Sequence, residues 1–260
     1  MSLVYVNGVD LYVEIEGEGE PVILIHGLGG NATSMHPTIK WLSKSFKTIA
    51  YDCRGHGRSD KPSSYTLDDH INDTLALMDE LGIEKTNLIG ESGGSYIAQG
   101  VAASEPGRIH KLILVVSKAH GTKSSSQLFY ESHAAEMSGM NEHEQRLYLI
   151  DHVFAPGFLE KVGPEFLLPQ PLALSPQEAD AANKAFEGFD FRPVLHQISA
   201  PALIINGKYD GLNPPAKGIE IASYIPNSIF VEMQHSGHAP SLEEPEKFSE
   251  LVIDFLSGPA

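Results

Sequence analysis

The sequence predicts an α/β fold: a mostly parallel sheet of eight strands, flanked by helices, with a helical segment inserted late in the chain. Three observations carry this expectation. Runs at 22–26, 48–51, 86–89, 111–116 and 202–205 are apolar without alternation. A strand that is apolar on both faces is buried on both faces, as in a parallel sheet covered by helices. The segments between these runs have helical spacing, and the strand and helix rhythm stops between 118 and 195, then resumes at Pro201.

In chain order, strands are expected at 3–6 and 9–16, joined by Asn7-Gly8, a hairpin signal that makes the start antiparallel. The strand at 22–26 precedes a helix at 35–44, and the strand at 48–51 precedes a helix at 67–81. That helix carries Ile71, Leu75, Leu77, Met78 and Leu81 before Gly82, a stop signal. After the strand at 86–89 a helix covers 92–104 and ends before Pro106. After 111–116 the β signal gives way to pieces rich in Met, Pro and aromatics, including Phe129, Met137, Phe154, Phe166 and Phe189. These read as a helical lid, 118–195, inserted into a core made of 1–117 and 196–260, with a pocket between lid and sheet. The strand at 202–205, a helix at 214–222, a strand at 228–233 and a helix at 245–256 complete the core.

Composition removes several classes of function. The 260 residues contain 34 acidic and 18 basic side chains, a net charge of −16, and nucleic-acid binding needs clustered Lys and Arg to release counterions. The longest apolar runs, such as 112–116, are strand-sized, far short of the roughly 18 residues of a membrane helix. Cys53 is the only cysteine, so there is no internal disulfide and no multi-cysteine metal site; it reads as a small buried side chain near a strand end. The first residues lack a basic region followed by an apolar one and a cleavage site, so a cytoplasmic location is expected. Neither composition nor motif fixes the oligomeric state, monomer or homodimer.

The chemistry concentrates at strand ends. Gly90-x-Ser92-x-Gly94 lies between a buried strand and a helix, the setting in which a tight turn lifts a serine above a sheet and requires small residues two before and two after it. A serine hydroxyl needs a general base, and the base needs an orienting carboxylate. His238 follows the strand at 228–233, and Asp210 follows the strand at 202–205. The stretch 117–120 after the preceding strand offers no rival carboxylate. His235 and His238 are three apart, but no further ligands accompany them, so His235 is set aside as structural. The turn Gly27-Leu28-Gly29-Gly30 can aim backbone N–H groups at an oxyanion, with Leu28 and Gly93 as the candidate donors. It matches neither the P-loop nor the dinucleotide fingerprint. Glu91 and His120 are candidates for the substrate pocket. No cofactor and no metal are implied.

From about Val4 to its C-terminus the chain resembles the α/β-hydrolase superfamily, through the His26-Gly27 turn, the segment from Asp52 to Asp60, the Ser92 elbow, Asp210 and His238. The nearest subgroups by appearance are small lidded esterases and lactonases, including those like enol-lactonases. The resemblance implies an acyl-enzyme on Ser92 formed from a small or medium ester or lactone. In that family the loop from Asp52 to Asp60 is expected to be structural, with Asp52, Arg54 and Asp60 in a local polar network. Glu91 is a departure, since His or another residue often precedes the serine. The same triad would serve a carbon–carbon bond hydrolase, a perhydrolase or a weakly catalytic ligand receptor.

Overall fold

The computed structural model describes residues 1–163, 166 and 172–259. Strands β1 (Ser2–Val6) and β2 (Val9–Glu16) form the expected hairpin. Its turn residues Asn7 and Gly8 have φ of 47° and 82°, the left-handed pair that matches strand twist. Strand β2 pairs antiparallel with β4 (Lys47–Tyr51). Every further pairing in this sheet is parallel: β4 with β3 (Pro21–Ile25), β3 with β5 (Thr86–Glu91), β5 with β6 (Ile109–Val115), β6 with β9 (Ala202–Gly207), and β9 with β10 (Ser228–Met233). The strand order is β1-β2-β4-β3-β5-β6-β9-β10. All eight strands fall within two residues of their expected positions.

Burial explains the lack of alternation in the central strands. In β3, Ile23 and Ile25 belong to a core with Leu77, Met78, Ile97 and Val101 on one face. The intervening Val22 and Leu24 join Ile39, Leu42, Phe248 and Val252 on the other. The first face is covered by α2 (Leu67–Glu80) and α3 (Gly93–Ser104), the second by α1 (His36–Leu42) and the last helix, α10 (Pro245–Ser257). A further helix, α8 (Pro215–Tyr224), packs on β9 and β10. Helix α2 opens with a capping box, the Thr66 hydroxyl accepting from the Asp69 N–H while the Asp69 carboxylate accepts from Thr66 N–H. The buried Lys111 of β6 donates to the carbonyls of Phe255, Leu256 and Gly258, closing the end of α10.

Between β6 and β9 the chain runs through β7 (His120–Gly121), α4 (Ser125–Ser132), α5 (Glu142–Val153), α6 (Phe158–Val162), α7 (Pro176–Ala185) and β8 (Phe189–Asp190). Residues 164–165 and 167–171 of this stretch lie outside the described residues. The two-residue strands β7 and β8 pair antiparallel, His120 opposite Asp190. They are too short and too polar to carry a strand pattern, which is why sequence reading gives only helices there. Among the described residues no helix is long and apolar enough to cross a membrane.

Close packing at the β5 to α3 turn sets a stability prediction. A Cβ on Gly94 would lie 2.2 Å from the Ile25 carbonyl oxygen and 2.6 Å from that of His26, both backbone atoms of the neighbouring strand end. Gly94→Ala is therefore expected to lower stability by roughly 1–3 kcal/mol or more, because no side chain can yield. Gly107→Ala, where a Cβ would meet nothing within 4 Å, serves as control. Equal denaturant midpoints for the two variants would refute the packing argument.

Candidate active site

Ser92 occupies the turn between β5 and α3 with φ 50° and ψ −117°, a conformation that costs of order 1–3 kcal/mol for a residue with a side chain and is retained where surrounding structure enforces it. The enforcement is visible on both sides. A Cβ on Gly90 would sit 2.4 Å from the Gly94 carbonyl oxygen, and the Ser92 N–H is held by the Val115 carbonyl at 2.9 Å. Strand β5 and helix α3 thus meet at a corner that only glycines permit.

Two loops at the C-terminal end of the sheet bring the other candidates to this corner. His238, after β10, has Nε2 2.9 Å from Ser92 Oγ, and its Nδ1 lies 2.9 Å from both carboxylate oxygens of Asp210. Asp210, after β9, is buried, and its Oδ1 also accepts from the N–H groups of Leu212 and Asn213 at 2.9 Å each. The carboxylate oxygens can only accept, so Nδ1 carries the proton and Nε2 is left to accept from the Ser92 hydroxyl. Burial disfavours the charged imidazole, but the adjoining Asp210, with help from Glu243 and Glu91, outweighs it, and the His238 pKa stands above its ordinary value.

Glu243, in the short helix α9 (Pro240–Glu243), is a residue that sequence reading misses. Its Oε2 accepts from Gly237 N–H at 2.8 Å and Ala239 N–H at 3.0 Å, on either side of the histidine. Its Oε1 accepts from Ala155 N–H at 2.7 Å, and His238 N–H itself donates to the Val153 carbonyl at 2.9 Å. Three consecutive amides of the histidine loop are therefore fixed, and the fixing partners include the end of α5. Nothing in the sequence separates Glu243 from its neighbours Glu244 and Glu246, because the distinction lies in which one faces inward.

Leu28 and Gly93 stand together at the corner: a Cβ on Gly93 would approach Leu28 N to 3.0 Å, and both residues line a cavity of about 130 Å³ with Ser92, Tyr96 and His238. Neither N–H has an acceptor among the described residues. The turn carrying Leu28 is anchored from beneath. Buried His26 donates from Nδ1 to the Gly27 carbonyl at 2.7 Å and accepts at Nε2 from Cys53 N–H at 2.9 Å. Burial and the nearby His56 hold its pKa down to about 3, so it is neutral. The loop after β4 supplies more anchors: Asp52 accepts from Ala32 N–H at 2.7 Å and pairs with Arg58 at 2.8 Å. Arg54 pairs with Asp73 of α2 at 2.7 Å, and Asp60 accepts from Asp10 N–H at 2.8 Å. Asp52, Arg54 and Asp60 thus each make local polar contacts, Asp52 with Arg58, Arg54 with Asp73 and Asp60 with the Asp10 amide. Cys53 is buried, which pushes its thiol pKa up.

The family described as alpha/beta hydrolase fold matches residues 20–146. The structure superposes on the enol-lactonase of Burkholderia xenovorans with a TM-score of 0.85 and 29% identity, over 99% of this chain and 100% of that one. The chain has the α/β-hydrolase fold. This α/β hydrolase is also 27% identical to a Caulobacter segnis protein named as the carbamate hydrolase RutD, over 92% of each chain. It is 25% identical to a Mycobacterium tuberculosis protein named as the non-heme bromoperoxidase BpoC, over 96% of this chain and 98% of that one.

Two of the sequence candidates are not among the residues lining this cavity. His120 lies in β7 and faces Glu220 at 3.6 Å, and it is not among the residues lining the cavity. Glu91 does not line it either. Its Oε1 is buried with no hydrogen-bond partner among the described residues, and burial pushes the carboxyl up to about 7, against the opposing pull of His238 and Ser241. His235 is exposed, its N–H donating to Glu244. Among the described residues no group of three His, Cys, Asp or Glu is placed to hold a metal.

Proposed function

We propose that this α/β hydrolase cleaves small or medium carboxylic esters or lactones through an acyl-enzyme on Ser92. One observation supports the reading above the others: the hydrogen-bond chain from Ser92 Oγ through His238 to Asp210, each link 2.9 Å. His238 Nε2 accepts the hydroxyl proton as Oγ attacks the carbonyl carbon, and Asp210 stabilises the imidazolium. The N–H groups of Leu28 and Gly93 take the developing oxyanion. His238 returns its proton to the departing alcohol oxygen; water, activated by the same histidine, then releases the acid. Residues 118–195 act as the lid of a core made of 1–117 and 196–260, supplying one wall of the cavity through Ser124, Ser125 and Phe186. The enol-lactonase neighbour supports the ester and lactone class.

A second reading has one supporting observation, the relative named as a bromoperoxidase: hydrogen peroxide would replace water in resolving the same acyl-enzyme and yield a peracid. Peracid formed in ester-plus-peroxide mixtures would mark it.

The direct test is incubation with a fluorophosphonate, followed by intact-mass and peptide-mass measurement. One adduct, mapped to Ser92, is expected. A folded protein that takes no adduct, or takes it on another residue, would overturn the proposal.

A further inference from the structure

The cavity beside Ser92 contains a hydroxyl whose own proton finds only a long, weak acceptor within the protein. Tyr96 stands four residues past Ser92, one turn along α3 on the same helix face. It is buried, its ring stacked on Phe189 with centroids 4.8 Å apart and edge-on to Phe186 at 5.9 Å. The ring is thereby fixed, and its hydroxyl meets Asn213 and Ser125.

Asn213 decides which way the protons point. Its Nδ2 lies 2.7 Å from the Val116 carbonyl oxygen, which can only accept, so the amide orientation is set. The second Nδ2 proton goes to the Tyr96 oxygen at 2.9 Å, and Oδ1 faces Ser125 Oγ at 2.7 Å. Ser125 must donate its single proton to that Oδ1. The Tyr96 hydroxyl, already accepting from Asn213, must donate its own proton. The protein atom in reach is Ser125 Oγ at 3.3 Å, beyond the 2.5–3.0 Å of a good O–H···O bond. Burial pushes the Tyr96 pKa up to about 12, so the proton stays on. A buried donor is thus left with a weak partner, and both Tyr96 and Ser125 line the cavity.

Resting on the serine-hydrolase reading above, we infer that Tyr96 is a specificity residue that donates a hydrogen bond to a second oxygen on the substrate's acyl chain. The acyl chain is the group that becomes joined to Ser92 Oγ, one helical turn away. The cavity's small volume, about 130 Å³, limits that chain to a few heavy atoms. The substrate class is therefore short acyl groups bearing an ether, keto or hydroxyl oxygen beyond the scissile carbonyl, rather than plain alkyl chains. A site with a donor to satisfy discriminates against an isostere that lacks the acceptor, because the donor is then left unpaired.

The test uses p-nitrophenyl methoxyacetate and p-nitrophenyl butyrate, whose acyl groups differ by one oxygen for one methylene. For the wild-type protein the ratio of kcat/KM, methoxyacetate over butyrate, should exceed the ratio of their rates with hydroxide by about fivefold to tenfold, the size of one neutral hydrogen bond. In Tyr96→Phe, with melting checked against wild type, the excess should vanish. A wild-type ratio equal to the hydroxide ratio would overturn the inference without any variant. So would a Tyr96→Phe protein that slows both esters equally, since the tyrosine would then only support Asn213. Absence of both Ser92 labelling and ester turnover would instead fail the serine-hydrolase reading, and this inference with it.

Discussion

Ser92→Ala is expected to lower ester turnover by about 10⁴- to 10⁶-fold while the fold is kept. The loss follows from the connectivity: Oγ is the atom that His238 Nε2 reaches at 2.9 Å, and removing it leaves the base with no proton to take and the carbonyl with no nucleophile. What survives would be substrate binding and the N–H groups of Leu28 and Gly93, which support residual catalysis of about 10³–10⁴ over water in comparable sites. The fold should hold because alanine tolerates the turn no worse than serine, and the strained φ of 50° is enforced by Gly90, Gly94 and the Val115 carbonyl. Steady-state hydrolysis of p-nitrophenyl acetate, with a melting curve on the same sample, checks both parts. Turnover within tenfold of wild type would remove Ser92 from the chemistry.

Asp210→Asn is expected to cost about 10⁴-fold in turnover and to change the pH profile in a defined direction. The Oδ1 position is held by the N–H groups of Leu212 and Asn213, so the asparagine carbonyl oxygen would stay there and its NH₂ would take the Oδ2 place, putting a donor 2.9 Å from His238 Nδ1 that only an unprotonated nitrogen can accept from. The imidazole would then carry its proton on Nε2, where Ser92 needs an acceptor. The charge effect is separate. His238 must be neutral to accept a proton, so activity falls as pH drops through its folded pKa. Burial lowers that pKa and Asp210 more than restores it; without the carboxylate charge the acid limb of the surviving activity should move to lower pH. An acid limb that stays in place, in a variant of normal melting temperature, would mean that Asp210 does not set the charge state of His238.

The eight-stranded sheet and the three residues of the chain from Ser92 through His238 to Asp210 were legible because each leaves a local mark. Strands such as Val22 to Ile25 are apolar on both faces, and the glycines around Ser92 sit at a strand-to-helix boundary. Asp210 and His238 follow strands that the apolar pattern already located. Glu243, Asn213 and Tyr96 leave no such mark. Glu243 matters because its carboxylate reaches the amides of Gly237, Ala239 and Ala155, a convergence of segments far apart in the chain. Asn213 looks like any loop asparagine until the Val116 carbonyl fixes its amide. Arg54 and Arg58 are four residues apart in one loop, and only the approach of α2 and of Asp52 decides which takes which carboxylate. Local pattern locates elements; the pairing of polar groups between elements is decided by their docking.

The amides around His238 take their partners from both sides of the chain's interrupted rhythm, Glu243 from the C-terminal part and Val153 from the stretch after β6. That stretch is consequently not a detachable module. Excising 118–195 to obtain a minimal hydrolase would take away the carbonyl that anchors the histidine loop, and transplanting the stretch from a relative to alter substrate range would succeed only where the graft restores a carbonyl and an amide at positions 153 and 155. The practical boundary for exchange lies short of α5's end, whatever the outer helices carry.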